Sequence, residues 1–139
     1  MDSETGPGEE SLAQAKDKLV LLVEDDEGQL ELLKFLLDKE GFRVASISNG
    51  RLALKVVEEQ NPDLIVLDLM LPDLSGYEVL RELQAAGHGS IPVVVLTARN
   101  MDRMTVETIR REPNVKEFLQ KPANSTFGPL LHQLLKTRF

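Results

Sequence analysis

Residues 63–97 read DLIVLDLMLPDLSGYEVLRELQAAGHGSIPVVVLT. The stretch opens on DLIVLD (63–68) and closes on IPVVVLT (91–97), both apolar at consecutive positions, as strands covered on two faces are. Between them Tyr77, Val79, Leu80 and Leu83 recur at helical spacing until AAGHGS ends the pattern. Strand, helix and strand in this order predict a right-handed parallel crossover, and that unit decides the fold class.

The same alternation continues outward in both directions. LVLLV (19–23), FRVASI (42–47) and VKEFLQ (115–120) complete five strands, and the second and fifth mix in polar residues as sheet edges do. Leu30, Leu33, Phe35, Leu36 and Leu37 before Gly41 predict a helix of about 13 residues with a left-handed glycine cap. Ala53, Leu54, Val56 and Val57 predict a second, stopped by Asn61-Pro62, and residues 101–111 a further one, ended by Pro113. Leu130, Leu131, Leu134 and Leu135 mark the last, with Thr126 as its expected N-cap and Pro129 in its first turn. The expected architecture is α/β: a doubly wound, five-stranded parallel sheet of order 2-1-3-4-5 with helices on both faces, a flavodoxin-like three-layer sandwich. In that order a crevice opens beyond the carboxyl ends of strands one and three, and ligands are expected there.

The length of 139 residues suits one domain with one core. Residues 1–18 hold five acids, Gly6, Pro7 and Gly8 against a single Leu, so a flexible acidic tail is expected, with room for a helical turn over Ser11–Lys18. Residues 19–139 are then the domain. With 16 Lys+Arg against 23 Asp+Glu the net charge is -7, which disfavours direct binding of nucleic acid or an anionic membrane surface. The absence of cysteine removes disulfides and thiolate chemistry. No apolar run approaches the ~20 residues of a membrane helix, and the acidic start lacks signal-peptide character, so a cytoplasmic location is expected.

Chemistry is expected where the apolar runs stop. Strand one ends in Glu24-Asp25-Asp26, strand three in Asp68, strand four in Thr97 and strand five in Lys121-Pro122, all on one sheet edge. An acid after a strand is often no more than a helix cap, which suits Asp25 or Asp26 taken alone. Asp68 is different: Leu64–Leu67 precede it and Leu69–Leu71 follow, so its carboxylate is desolvated and needs a partner. Lys121 is the expected organic partner and a hard divalent cation the inorganic one. An oxygen-only donor set this sparse suits Mg²⁺ better than Ca²⁺, with Mn²⁺ also accommodated. His88 and His132 have no metal-ligand spacing and are assigned surface or core roles.

The motifs LLVEDDE, LDLMLPDLSG (67–76), VVVLTAR and FLQKP, in this order, closely resemble the receiver domain of two-component response regulators over residues 19–139. The resemblance implies that Asp68 is the phosphoacceptor and that Glu24, Asp25, Asp68 and the Met70 carbonyl hold Mg²⁺. It further implies that Lys121 and Thr97 contact the phosphoryl group, that Phe118 is an aromatic switch residue, and that Ala98 is the small neighbour keeping access open. Met70 and Arg99 stand where the family tunes hydrolysis, and slow decay is expected. The phosphoryl donor implied is a histidine kinase or histidine phosphotransfer protein, and output passes to a downstream protein partner or output domain. Such a chain is a switch, at most self-phosphorylating from small donors, and not an enzyme.

Two departures from the family pattern stand out: the interval from Thr97 to Lys121, with REPNVKEF in place of a glycine-containing turn, and the stretch Ala123–Pro129. An aspartate-nucleophile phosphatase typically carries a second Asp two residues on, where this chain has Met70. A flavin or nucleotide module would want donors where Glu24-Asp25-Asp26 stand. The alternative of another class is a phosphorylation-independent interaction module, which would be expected to lack one of the key residues.

Overall fold

The computed structural model describes residues 12–98 and 101–139. Five parallel strands, β1 (Leu19–Val23), β2 (Arg43–Ile47), β3 (Leu64–Asp68), β4 (Val93–Thr97) and β5 (Val115–Gln120), form one sheet in the order β2-β1-β3-β4-β5. The helices are α1 (Glu27–Lys39), α2 (Ala53–Gln60), α3 (Gly76–Ala85), α4 (Arg103–Arg110) and α5 (Phe127–Leu135). The doubly wound order and the edge positions of β2 and β5 agree with the sequence reading. None of the helices among the described residues is long and apolar enough to cross a membrane.

Every residue of the three central strands is buried. Alternate side chains serve the two faces, the period-two consequence of the pleat. Leu21, Val23, Ile65, Leu67, Val93 and Val95 pack against α2, α3 and α4 through Ala53, Val57, Val79, Leu80, Leu83 and Ile109. Val20, Leu22, Leu64, Val66, Val94 and Leu96 meet α1 and α5 through Leu33, Leu36, Leu37, Phe127 and Leu131. At roughly 2 kcal/mol per buried Leu or Val side chain, these two layers fix the sheet and with it the position of every strand end.

Several local features depart from the sequence reading. Phe35 is exposed, because the buried stripe of α1 is Leu33, Leu36 and Leu37, and a residue two positions from Leu33 lies on the opposite face. Thr126 precedes α5 but makes no capping bond. Asn124 organises that turn instead, its Oδ1 accepting from Thr126 N and from Thr126 Oγ1. α2 stops before Asn61-Pro62 as expected, and Asn61 itself caps it in the left-handed conformation. Pairing between β4 and β5 slips by one residue, Val93 opposing Val115 and Val94 opposing Glu117, so Lys116 forms a bulge within the REPNVKEF departure.

Of the stretch expected as a tail, residues 1–11 lie outside the described residues. The remainder packs against the domain. Ala15 is the buried first residue of a 3-10 turn (Ala15–Asp17), and Ala13 forms a parallel bridge with Thr137. Ala13 N donates to Lys136 O at 3.0 Å and Arg138 N donates to Ala13 O at 2.9 Å. Beside this junction His132 is buried between the rings of Phe42 and Phe139, and its ring nitrogens meet Thr137 Oγ1 at 2.7 Å and Glu40 Oε1 at 2.9 Å. The assignment of His132 to the core or surface thus resolves to the core.

Candidate functional site

Since every strand runs in the same direction, Glu24, Asp68, Thr97 and Lys121 arrive together at the carboxyl edge. Glu24 follows β1 and is 2% exposed, and its N–H donates to Ile47 O, which ties it to the end of β2. Its Oε2 accepts from Asp26 N at 3.1 Å. Asp26 is the N-cap of α1, its side chain accepting from Gly28 N, so the capping role belongs to Asp26 and leaves Asp25 exposed at the mouth. Asp68, 3% exposed, ends β3. Its Oδ1 accepts from Met70 N at 3.0 Å and its Oδ2 from Lys121 Nζ at 3.0 Å.

Glu24, Asp25 and Asp68 can each place one carboxylate oxygen so that all three lie within 4.8 Å of one another. Lys121 Nζ sits 2.8 Å from Glu24 Oε1 in an ion-pair contact that lacks hydrogen-bond alignment. One ammonium therefore faces three carboxylates, and unit charges this close repel by several kcal/mol even at an effective dielectric near ~20. Burial pushes the Glu24 carboxyl above its ordinary value, and the Asp68 charge adds to the rise against the pull of Lys121 and Asp26 N–H. For Lys121, burial alone would lower the value, but Glu24 and Asp68 outweigh it and hold the ammonium above its ordinary range.

Thr97 is buried and its Oγ1 has no hydrogen-bond partner among the described residues. Lys121 N donates to Thr97 O at 2.8 Å, which sets the β4 and β5 ends side by side, and the Lys121-Pro122 peptide is cis. A buried hydroxyl without a partner costs about 1–3 kcal/mol, so a ligand oxygen is the natural completion of this site. The oxygen-only donor set, one side of which is open at Asp25, fits a hard divalent cation.

Met70 is exposed beside the pocket and Ala98 is exposed directly after Thr97. Arg99 lies outside the described residues. Phe118 is not part of the carboxylate group: it is half-buried on β5 opposite Val95, with the Arg110 guanidinium 5.7 Å from its ring centroid. Two residues that the sequence reading gave no role shape the loop after Asp68. A Cβ on Gly76 would lie 2.7 Å from Leu69 Cα and 2.9 Å from Asp68 O, so only glycine lets α3 start this close to the strand end. Asp73 accepts from Gly50 N at 3.0 Å and Arg51 N at 3.1 Å, partners more than twenty residues away that no local pattern reveals.

A family model described as "Response regulator receiver domain" matches residues 20–128. The chain belongs to this family. The receiver domain is 40% identical over 103 residues to the transcriptional regulatory protein AfsQ1 of Streptomyces coelicolor, covering 74% of this chain and 44% of that protein. The DNA-binding response regulator MtrA of Mycobacterium leprae gives the same identity and coverage, 40% over 103 residues, 74% and 44%. The chain thus spans less than half the length of these curated relatives. Among solved structures it superposes on the signal receiver domain assigned to a Luxo repressor protein from Vibrio parahaemolyticus with a TM-score of 0.74 at 31% identity, covering 86% of this chain and 89% of that one. Phosphorylation-based signalling is the function of the family, and the receiver fold expected from the sequence is the fold observed.

Proposed function

We propose that Asp68 is the phosphoacceptor of a Mg²⁺-dependent switch. One observation carries the reading: a buried carboxylate at a strand end, held by Lys121 and Met70 N–H, lies within 4.8 Å of two further acids, on a sheet edge that also carries a buried hydroxyl unpartnered among the described residues. An Asp68 oxygen attacks the phosphorus of the donor. The new P–O bond makes a mixed carboxylic-phosphoric anhydride, and the bond to the donor's imidazole nitrogen, or to acetate in a small acyl phosphate, breaks with the leaving group keeping the electron pair. Lys121 balances charge on the transferring group, and Thr97 Oγ1–H donates to a phosphoryl oxygen once one is present.

Glu24, Asp25, Asp68 and the Met70 carbonyl would hold Mg²⁺, and Mn²⁺ suits the same oxygens. The bound ion supplies charge neutralisation to the carboxylates and the transferring group. About two negative charges arrive with the phosphoryl group, drawing Thr97 and Lys121 toward it and repacking the surface around Phe118 and α4. Ala98 leaves the approach open, while Met70 and Arg99 tune a slow hydrolysis. The donor is a histidine kinase or a histidine phosphotransfer protein, the location cytoplasmic, and the readout a protein partner or an output domain. The relatives named as DNA-binding or transcriptional regulators are more than twice as long as the segment they share with this chain. Any DNA contact is assigned to an output domain, on the ground of the net charge of -7 here.

The test is incubation of the full chain with acetyl phosphate and Mg²⁺, followed by intact mass. A gain of one phosphoryl group in the wild type and none in Asp68→Asn is expected. Equal labelling of both moves the acceptor elsewhere, and no labelling of either, with a verified kinase also tried, favours the phosphorylation-independent interaction module.

A further inference from the structure

We infer that Asp73 is a positioning residue for the cation-binding pocket, acting through the loop that carries Met70. The inference rests on the assignment of that pocket above and adds a residue to it.

Three loops surround the acids, and each is tied to the next by a named contact. Glu24 N–H donates to Ile47 O, joining the loop after β1 to the end of β2. Lys121 joins Glu24 to Asp68, closing the other side. Between the loop after β2 and the loop after β3 the side-chain link is Asp73, whose two oxygens take the N–H groups of Gly50 and Arg51. These two amides open the 3-10 turn Gly50–Leu52, where no intrahelical acceptor is available to them. The loops also touch directly, since a Cβ on Gly50 would lie 2.8 Å from Leu74 O and 2.9 Å from a Val79 methyl carbon. Partial burial would raise the Asp73 carboxyl, but the N–H groups of Gly50, Arg51 and Leu74 outweigh it and hold it below the usual carboxylate value, as a carboxylate bonded in its ionised form is held.

The loop from Leu69 to Ser75 is pinned at its ends by buried Leu69 and Leu74 and by Gly76 N donating to Leu69 O. Asp73 pins its middle, three residues beyond Met70. Cutting that link loosens the segment bearing the Met70 carbonyl, then held only by Met70 N–H on Asp68 and by buried Leu69 and Leu74, while leaving Glu24, Asp25, Asp68 and Lys121 in place. Residues that orient ligands from behind typically change metal affinity by about 10–100-fold.

The experiment is a Mg²⁺ titration of the full chain followed by backbone amide resonances, with thermal melts in parallel. Asp73→Ala is expected to raise the half-saturating Mg²⁺ concentration about tenfold, with Asp73→Asn, which keeps one acceptor, in between. Arg51→Ala is expected to bind like the wild type, because its side chain is 71% exposed and meets Asp73 only at 3.9 Å. A lower melting temperature in Asp73→Ala with half-saturation within about twofold of the wild type would overturn the proposal and leave Asp73 a purely structural tie. If the alanine variant does not fold, the same criterion applies to Asp73→Asn. Wild type that binds Mg²⁺ but takes no phosphoryl label sinks the phosphoacceptor reading alone, whereas wild type that binds no Mg²⁺ sinks both.

Discussion

Lys121 crosses from the end of β5 to place its ammonium 3.0 Å from Asp68 Oδ2, with only 15% of its side chain exposed. The same nitrogen serves Glu24, so a single ammonium holds two buried acids. Removing one partner of a buried ion pair costs about 3–5 kcal/mol because the remaining charge has no compensation. Lys121→Ala is therefore expected to lower unfolding free energy by about 3 kcal/mol in chelator, with millimolar Mg²⁺ restoring a substantial part. Urea unfolding with and without Mg²⁺ measures both, and equal losses in the two conditions would separate Lys121 from the cation pocket.

The raised Glu24 carboxyl gives the pH dependence a definite sign. A group whose folded value lies above its ordinary 4.5 contributes stability that is full below 4.5 and is lost as pH rises through the folded value. Mg²⁺ held at Glu24 as proposed above would require the ionised carboxylate, so its stabilising effect is expected to grow across the same window. The increase in melting temperature on adding Mg²⁺ is expected to be small at pH 4 and largest near neutrality. Glu24→Gln should flatten that profile, and it should be more stable than the wild type at neutral pH in chelator. A Mg²⁺ effect independent of pH would contradict this account.

Gly76 lies so close to the strand end that an added methyl meets backbone as well as a side chain. Gly76→Ala must move α3 or the loop after Asp68, at about 2–3 kcal/mol for overpacking. Chemical denaturation checks the cost, and acetyl phosphate labelling should slow as well because the displaced loop carries Met70. Normal stability in Gly76→Ala would mean that the loop relaxes freely.

His132 supplies a contrasting case at the opposite end of the sheet. Its ring is fully buried and satisfies both Thr137 and Glu40. His132→Ala leaves a cavity and two polar groups without partners, for a loss of about 3 kcal/mol. Labelling of the folded fraction should match the wild type, since α1 and α5 run away from the carboxylate edge before reaching this cluster. A labelling defect at temperatures where the variant is folded would show coupling across the sheet.

The strands and the acids were legible in the sequence for the same reason. Parallel strands bury both faces and so appear as unbroken apolar runs, and a buried acid such as Asp68 appears as an interruption with leucines on either side. Lys121 was legible because it ends the last run. Phe35 misled because its apolar character suited a stripe that its position on α1 does not share. Thr126 misled because Thr, Ser and Asn compete for one role within a few residues, and Asn124 takes it. The Asp73 link and the His132 cluster depend on residues brought together from distant parts of the chain, and neither spacing nor composition records such meetings.

The pairing of Ala13 with Thr137 has a mechanical consequence. The two segments lie side by side and run the same way, so tension between the two ends of the chain loads their hydrogen bonds in shear, the orientation in which such bonds resist best. That patch lies where α5 ends, whereas Asp68 lies at the carboxyl end of β3, so load carried by these two bonds is applied away from the pocket.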